Sequence, residues 1–202
     1  MPGEQYGAMH RRIAAGAIDV TALAAELDAM RPETRIREVR NLGKTEQARL
    51  FDAAEGARPI VLADLVPVGI APMVEVIHAG RNSLPMFRIF EKRFCRPADD
   101  DAQLWGYNEH GARWMTGPGY FVARQHGDGE VLVDYLEVPP EKPEEWPPIQ
   151  PNSALRGRFV YGGMQDVLRG VSRHVSVGRA RRKGKPLDNW FVCCRVDPAP
   201  GS

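Results

Sequence analysis

Along the first 56 residues apolar side chains recur at spacings of three and four, the period of helices that each bury one face. Asp19 is placed to cap a helix that turns Val20, Leu23, Leu27 and Met30 to one side. Pro32, as a first-turn proline, opens a second helix with Ile36, Val39 and Leu42 inward and Gly43 at its end. Thr45 then caps a third, which carries Leu50, Phe51 and Ala54 and closes at Gly56.

After this the period shortens. Residues 58–85 combine four prolines with many β-branched side chains, among them Ile60, Val61, Val66, Val74 and Val76, which predicts one or two short edge strands. From residue 86 onward strands are expected over 86–96, 103–108, 113–125, 130–138, 175–182 and 189–196. Asp128-Gly129 between apolar runs signals a hairpin, residues 108–111 a longer turn, and Lys183-Gly184-Lys185-Pro186 the separation of the last two strands. Residues 139–151 hold six prolines and three glutamates, the composition of a stiff, solvent-exposed crossing. Asn152 is placed to cap a turn beyond it, and residues 164–171 read as a short helix with Val167, Leu168 and Val171 inward. The predicted architecture is α+β. A helical segment, 1–56, precedes a β-rich unit, 57–202, built as a curved, mainly antiparallel sheet or partly closed β-barrel with one internal short helix, the two packed together.

A curved sheet has a concave face, so the question is which side chains reach it. On the 86–96 strand one face reads Met86, Arg88, Phe90, Lys92, Phe94, Arg96 and the other Phe87, Ile89, Glu91, Arg93, Cys95, and neither is cleanly apolar. Either Glu91 and Arg93 enter the interior as an ion pair, or this is a solvated edge strand whose long cationic side chains lie over Phe90 and Phe94. Asp134 shares a face with Leu132, Leu136 and Val138; if that face is the core, burial makes the carboxyl a candidate general acid or base, as Glu91 is. The opposite face, with Val131, Val133 and Tyr135, competes equally for the core. Gly117-Pro118-Gly119 inside a strand predicts a bend, either a barrel corner or a place of close ligand approach. With Arg93, Gly117, Gly119 and Arg179, the hydroxyls of Tyr107, Tyr120 and Tyr161 complete the candidate ligand-binding set.

Composition narrows the function classes. A chain of 202 residues, 43% hydrophobic and 26% charged, is a globular protein rather than a disordered one. Its longest apolar stretch, 59–77, is broken by Asp64, Glu75 and three prolines, and the N-terminus lacks the apolar run of a secretory signal. Three cysteines, two of them the neighbours Cys193 and Cys194, do not form a disulfide framework, so a cytoplasmic, reduced protein is expected. The five histidines are scattered, Cys-x-x-Cys is absent and no nucleophile elbow or phosphate loop occurs; no metal site is expected and no cofactor type is indicated.

The formal charge of +1 hides a strong asymmetry. From residue 151 onward ten cations face three anions, a balance of +7, against −5 over 57–150 and −1 over 1–56. Arg181, Arg182, Lys183 and Lys185 gather at one expected hairpin tip, which either grips an anion or docks on the acidic middle of the chain. With Trp190 as its one nearby ring, the tip lacks the stacking residues of a single-strand platform. The leading expectation is a protein that binds a small apolar or anionic molecule on the concave face. The alternatives are an enzyme using a strand carboxylate in that pocket, and a nucleic-acid or protein-interaction module using the basic hairpin.

Overall fold

The computed structural model describes residues 7–86, 88–111, 117–150 and 162–197. Helices come first: α1 (Ala8–Ala14), α2 (Val20–Ala29), α3 (Pro32–Arg40), α4 (Lys44–Ala53) and the single turn α5 (Leu62–Leu65). Eight strands follow, β1 (Val76–Asn82), β2 (Ile89–Cys95), β3 (Gln103–Glu109), β4 (Phe121–His126), β5 (Glu130–Asp134), β6 (Met164–Gly170), β7 (Val175–Arg182) and β8 (Lys185–Arg195). Each pairs antiparallel with the next, and β1 also pairs with β8, so the sheet is a meander closed into a barrel. Closure removes every sheet edge.

The helical segment forms as its pattern predicts, with Asp19 accepting from the Ala22 N–H and Pro32 at the start of α3. α1 is an addition to the expected set, and α4 begins after Gly43 rather than at a Thr45 cap. Leu23, Leu27, Val39, Leu42, Leu50 and Phe51 bury their side chains against Val175, Val177, Val192 and Cys194, the outward side chains of β7 and β8. The layer is pinned by Arg35, whose guanidinium is 2% exposed and donates to Asp197 at 2.8 Å.

Several expectations fail for one shared reason, that pairing on both sides outweighs local signals. The 58–85 segment forms no edge strand: β1 is bonded on both sides, and the residues before it carry α5. Where a helix is expected over 164–171, Met164–Gly170 form strand β6; the spacing of Val167, Leu168 and Val171 suits either, and the ladders to β5 and β7 decide it. β2 lies between β1 and β3 and is no edge either. β8 starts at Lys185, so the last connection is the two-residue turn Lys183-Gly184, with φ of 51° and 75°, the left-handed pair of a type I′ hairpin. The 139–150 crossing is irregular but not wholly exposed: Trp146 is buried on Tyr107 and Tyr120 outside β3 and β4, and the Pro147 carbonyl accepts from the Tyr120 hydroxyl. Asn152 lies outside the described residues.

Inside the barrel the two ends differ. One is stoppered by the chain that enters β1: Ile60, Leu65 and Val66 join Phe94, Leu104, Phe121, Val131, Val133 and Leu168 in a single core. The stopper is stitched to the barrel by hydrogen bonds to backbone carbonyls: Ile60 N–H donates to the Gly129 carbonyl at 3.0 Å, and the His78 ring donates from Nε2 to the Leu65 carbonyl at 2.9 Å. Arg195 Nη1 donates to the Asp64 carbonyl at 2.6 Å. Glycines make the interior room, since a Cβ at Gly80, Gly106 or Gly178 would collide with the ring of Phe90, Phe121 or Phe191 respectively. The other end, reached by the β1–β2, β3–β4, β5–β6 and β7–β8 connections, is where the interior opens.

Candidate functional site

Strand alternation on β2 settles which side chains reach the lumen. Phe90, Lys92 and Phe94 point inward and are buried, while Glu91 and Arg93 stand on the outer face. Lys92 is 2% exposed. A buried ammonium persists only with a counter-ion and hydrogen-bond acceptors for its protons, and three strands supply them here. Its Nζ donates to Asp166 Oδ2 of β6 at 3.0 Å, to Asn108 Oδ1 of β3 at 3.2 Å and to the hydroxyl of Tyr135, the residue after β5. Tyr135 in turn donates to Asp166 Oδ2 at 3.0 Å and accepts from Asn108 Nδ2 at 2.9 Å. The pair is thus neutral as a unit and bonded at each of the three ammonium protons.

Aromatic rings surround the same ammonium. Nζ lies 4.8 Å from the ring centre of Phe191, 5.0 Å from that of Phe121 and 5.1 Å from that of Tyr135, distances at which a ring's quadrupole attracts a cation. Lys92 therefore occupies an aromatic cage built by its own barrel.

Above this network lies a cavity of about 480 Å³, a volume within the range of small-molecule pockets. Lys92, Asn108, Tyr135 and Asp166 form its polar floor, dividing it from the packed lower core, and Phe90, Phe191, Met164 and Ala180 line its walls. Its rim includes the exposed Leu84 and Met86 of the β1–β2 connection and Arg182 from the β7–β8 hairpin. Roughly twenty non-hydrogen atoms fill such a space at ordinary packing density.

Of the residues singled out from sequence, few meet here. Asp134 is on the outer face, accepting from Gln165 Nε2 and the Leu136 N–H, both at 2.8 Å, because Val131, Val133 and Tyr135 won the lumen. Glu91 and Arg93 pair with each other outside at 2.7 Å, and Glu75 binds the same guanidinium at 3.0 Å; these carboxylates hold Arg93 protonated well beyond its ordinary range despite the cost of burial. Tyr107 and Tyr120 lie on the outer face beneath Trp146. Gly117 and Gly119 take φ of 81° and 57°, the bend that returns the chain toward β4, and the Pro118 carbonyl between them accepts from Asn108 N–H. Arg179 faces outward, stacked 5.0 Å from the Trp190 ring centre and donating to the Leu187 carbonyl. Arg181, Lys183 and Lys185 stay on the hairpin outside the cavity, and Arg182 alone of that group lines it. Tyr161 lies outside the described residues.

The cavity's chemistry thus rests on residues not chosen from sequence: Lys92, Asn108, Tyr135 and Asp166. Cys193, inward on β8, has its thiol pushed up to about 12 by burial and is inert as a nucleophile. Among the described residues no three His, Cys, Asp or Glu side chains converge as metal ligands. None of the described helices is long and apolar enough to cross a membrane.

Fold and site together define a closed eight-stranded antiparallel barrel with a largely apolar cavity over a charged but neutralised floor. Compared with models of protein families, with curated proteins and with solved structures, the chain finds no match.

Proposed function

We propose that the protein binds a small, mainly apolar molecule carrying one neutral hydrogen-bonding group, held in the barrel with that group toward Lys92, Asn108, Tyr135 and Asp166. The observation that carries this reading is a buried, fully bonded ion pair on the floor of a largely apolar cavity of about 480 Å³ whose further charged side chain, Arg182, lies at the rim. Had the barrel only to be stable, apolar side chains would fill that level at least as well as a desolvated ion pair. The neutrality of the pair favours an alcohol, ketone or aldehyde over a carboxylate, because an anion there meets no unspent positive charge.

The test is thermal unfolding of the full chain with 1-decanol and with decanoate, alongside native mass spectrometry of the protein as isolated. Decanol is expected to raise the midpoint of the wild type more than decanoate does. In Ala180→Trp, where a large ring fills the cavity, that rise should vanish. No shift with decanol in the wild type, together with a protein mass free of any retained molecule, overturns the reading.

A further inference from the structure

Lys92 is the one primary amine among the described residues lining the cavity. Resting on the binding reading above, we propose that this amine captures apolar aldehydes covalently, as an imine, with Asp166 carrying the proton. The juxtaposition is complete for that chemistry: a nucleophilic nitrogen at the cavity floor, a carboxylate oxygen 3.0 Å from it, and a phenol hydroxyl bonded to both.

The step balances without any oxidant or reductant. Asp166 takes one ammonium proton, which exchanges an ion pair for a neutral pair, a change that burial does not oppose. The freed nitrogen lone pair attacks the carbonyl carbon and the C–N bond forms. As the carbonyl oxygen gains a proton and the nitrogen loses one, a carbinolamine results. Asp166 returns its proton to the carbinolamine hydroxyl, the C–O bond breaks and water leaves. The product is a protonated imine beside an ionised Asp166. A lysine ammonium and an aldehyde have become an iminium and water, and the positive charge remains at the nitrogen that the carboxylate and the rings of Phe121, Tyr135 and Phe191 already surround. The apolar walls hold the aldehyde's tail and restrict the water that hydrolyses imines in the open.

The other lysines make the natural internal comparison. Lys44 and Asp188 pair at 2.5 Å with both side chains open to solvent, Lys183 and Lys185 are exposed on the hairpin, and Lys142 lies on the proline-rich crossing. The experiment incubates the full chain with decanal and cyanoborohydride, which reduces an imine to a stable amine, and maps the modified lysines by mass spectrometry. Lys92 is expected to be modified about ten-fold or more faster than any other lysine. Excess 1-decanol should protect Lys92 while leaving the exposed lysines unchanged. In Lys92→Arg, confirmed folded by circular dichroism, labelling should drop to the level of the exposed lysines; Lys92→Met serves if the arginine variant does not fold. Decanol binding by wild type without preferential labelling of Lys92 overturns covalent capture and leaves the binding reading standing. Failure of both decanol and decanal to bind overturns the two together.

Discussion

Removing the carboxylate from the barrel floor is the perturbation that tests the network most directly. The side chains of Lys92 and Asp166 are 3% and 7% exposed, so Asp166→Ala leaves a largely desolvated ammonium that only two neutral acceptors still contact. Breaking a buried pair from one side costs about 3 to 5 kcal/mol, because the remaining charge keeps its desolvation penalty and loses its counter-ion. For a chain of this length each kcal/mol lowers the midpoint by roughly 2 to 4 °C, which places the variant roughly 6 to 20 °C below the wild type. Lys92→Met strands the carboxylate instead and is expected to cost a similar amount. The double variant removes both charges and keeps most of the packed volume, so it should be more stable than Asp166→Ala alone. The assay is a double-mutant cycle on urea unfolding, followed by circular dichroism. If the two single costs simply add in the double variant, the charges are not coupled and the neutral-floor reasoning fails.

Two further outcomes follow from the closed end and the packed interior. His78 is buried at the stopper, where its Nε2–H meets the Leu65 carbonyl; burial above all, partly offset by that bond and reinforced by the charges of Arg195 and Lys92, lowers its pKa to about 4. The unfolded chain, with an ordinary value near 6.5, binds the proton first, so stability is lost as pH falls from about 6.5 to about 4 and the loss saturates below that, a total of about 3 kcal/mol. Unfolding free energies measured across that window for the wild type and His78→Gln should differ in slope, and equal slopes would remove His78 as the cause. Gly106→Ala sets a Cβ against the Phe121 ring and against the Arg93 carbonyl oxygen, which as backbone cannot swing aside. Its cost should reach about 3 kcal/mol in urea unfolding, while Gly111→Ala, which meets nothing within 4 Å, should stay within about 0.5 kcal/mol.

Much of the fold was legible where periodicity and turn chemistry agree. Asp19, Pro32 and Gly56 punctuate the helices as expected, and Asp128-Gly129 lies in the three-residue loop between β4 and β5. What stayed hidden is long-range. Closure depends on β1 finding β8 more than a hundred residues later, and nothing local to 76–82 announces it. The crossing at 139–150 reads as solvent-exposed from its prolines and glutamates, yet one tryptophan, Trp146, is enough to fasten it over Tyr107 and Tyr120.

The site was missed through two linked errors of face. On β2 the aromatic positions Phe90 and Phe94 mark the inner side, and Lys92 between them is the cation that must go in with them. Glu91 and Arg93, two residues apart on the same side, neutralise each other without leaving their own strand and so suit the outer surface. An opposite-charge pair at that spacing is therefore a signal for the exposed face, whereas a lone lysine flanked by aromatics calls for a carboxylate from elsewhere. That carboxylate is Asp166, and the helical reading of 164–171 concealed it, since helical spacing turns Val167, Leu168 and Val171 inward and leaves Asp166 to solvent. Read with period two, the same residues place Met164, Asp166 and Leu168 on one face, opposite the face of Val167. The lysine's demand for a counter-ion and the strand period of 164–170 are thus one inference: the buried charge on β2 is evidence for the secondary structure of β6, seventy residues away in the chain.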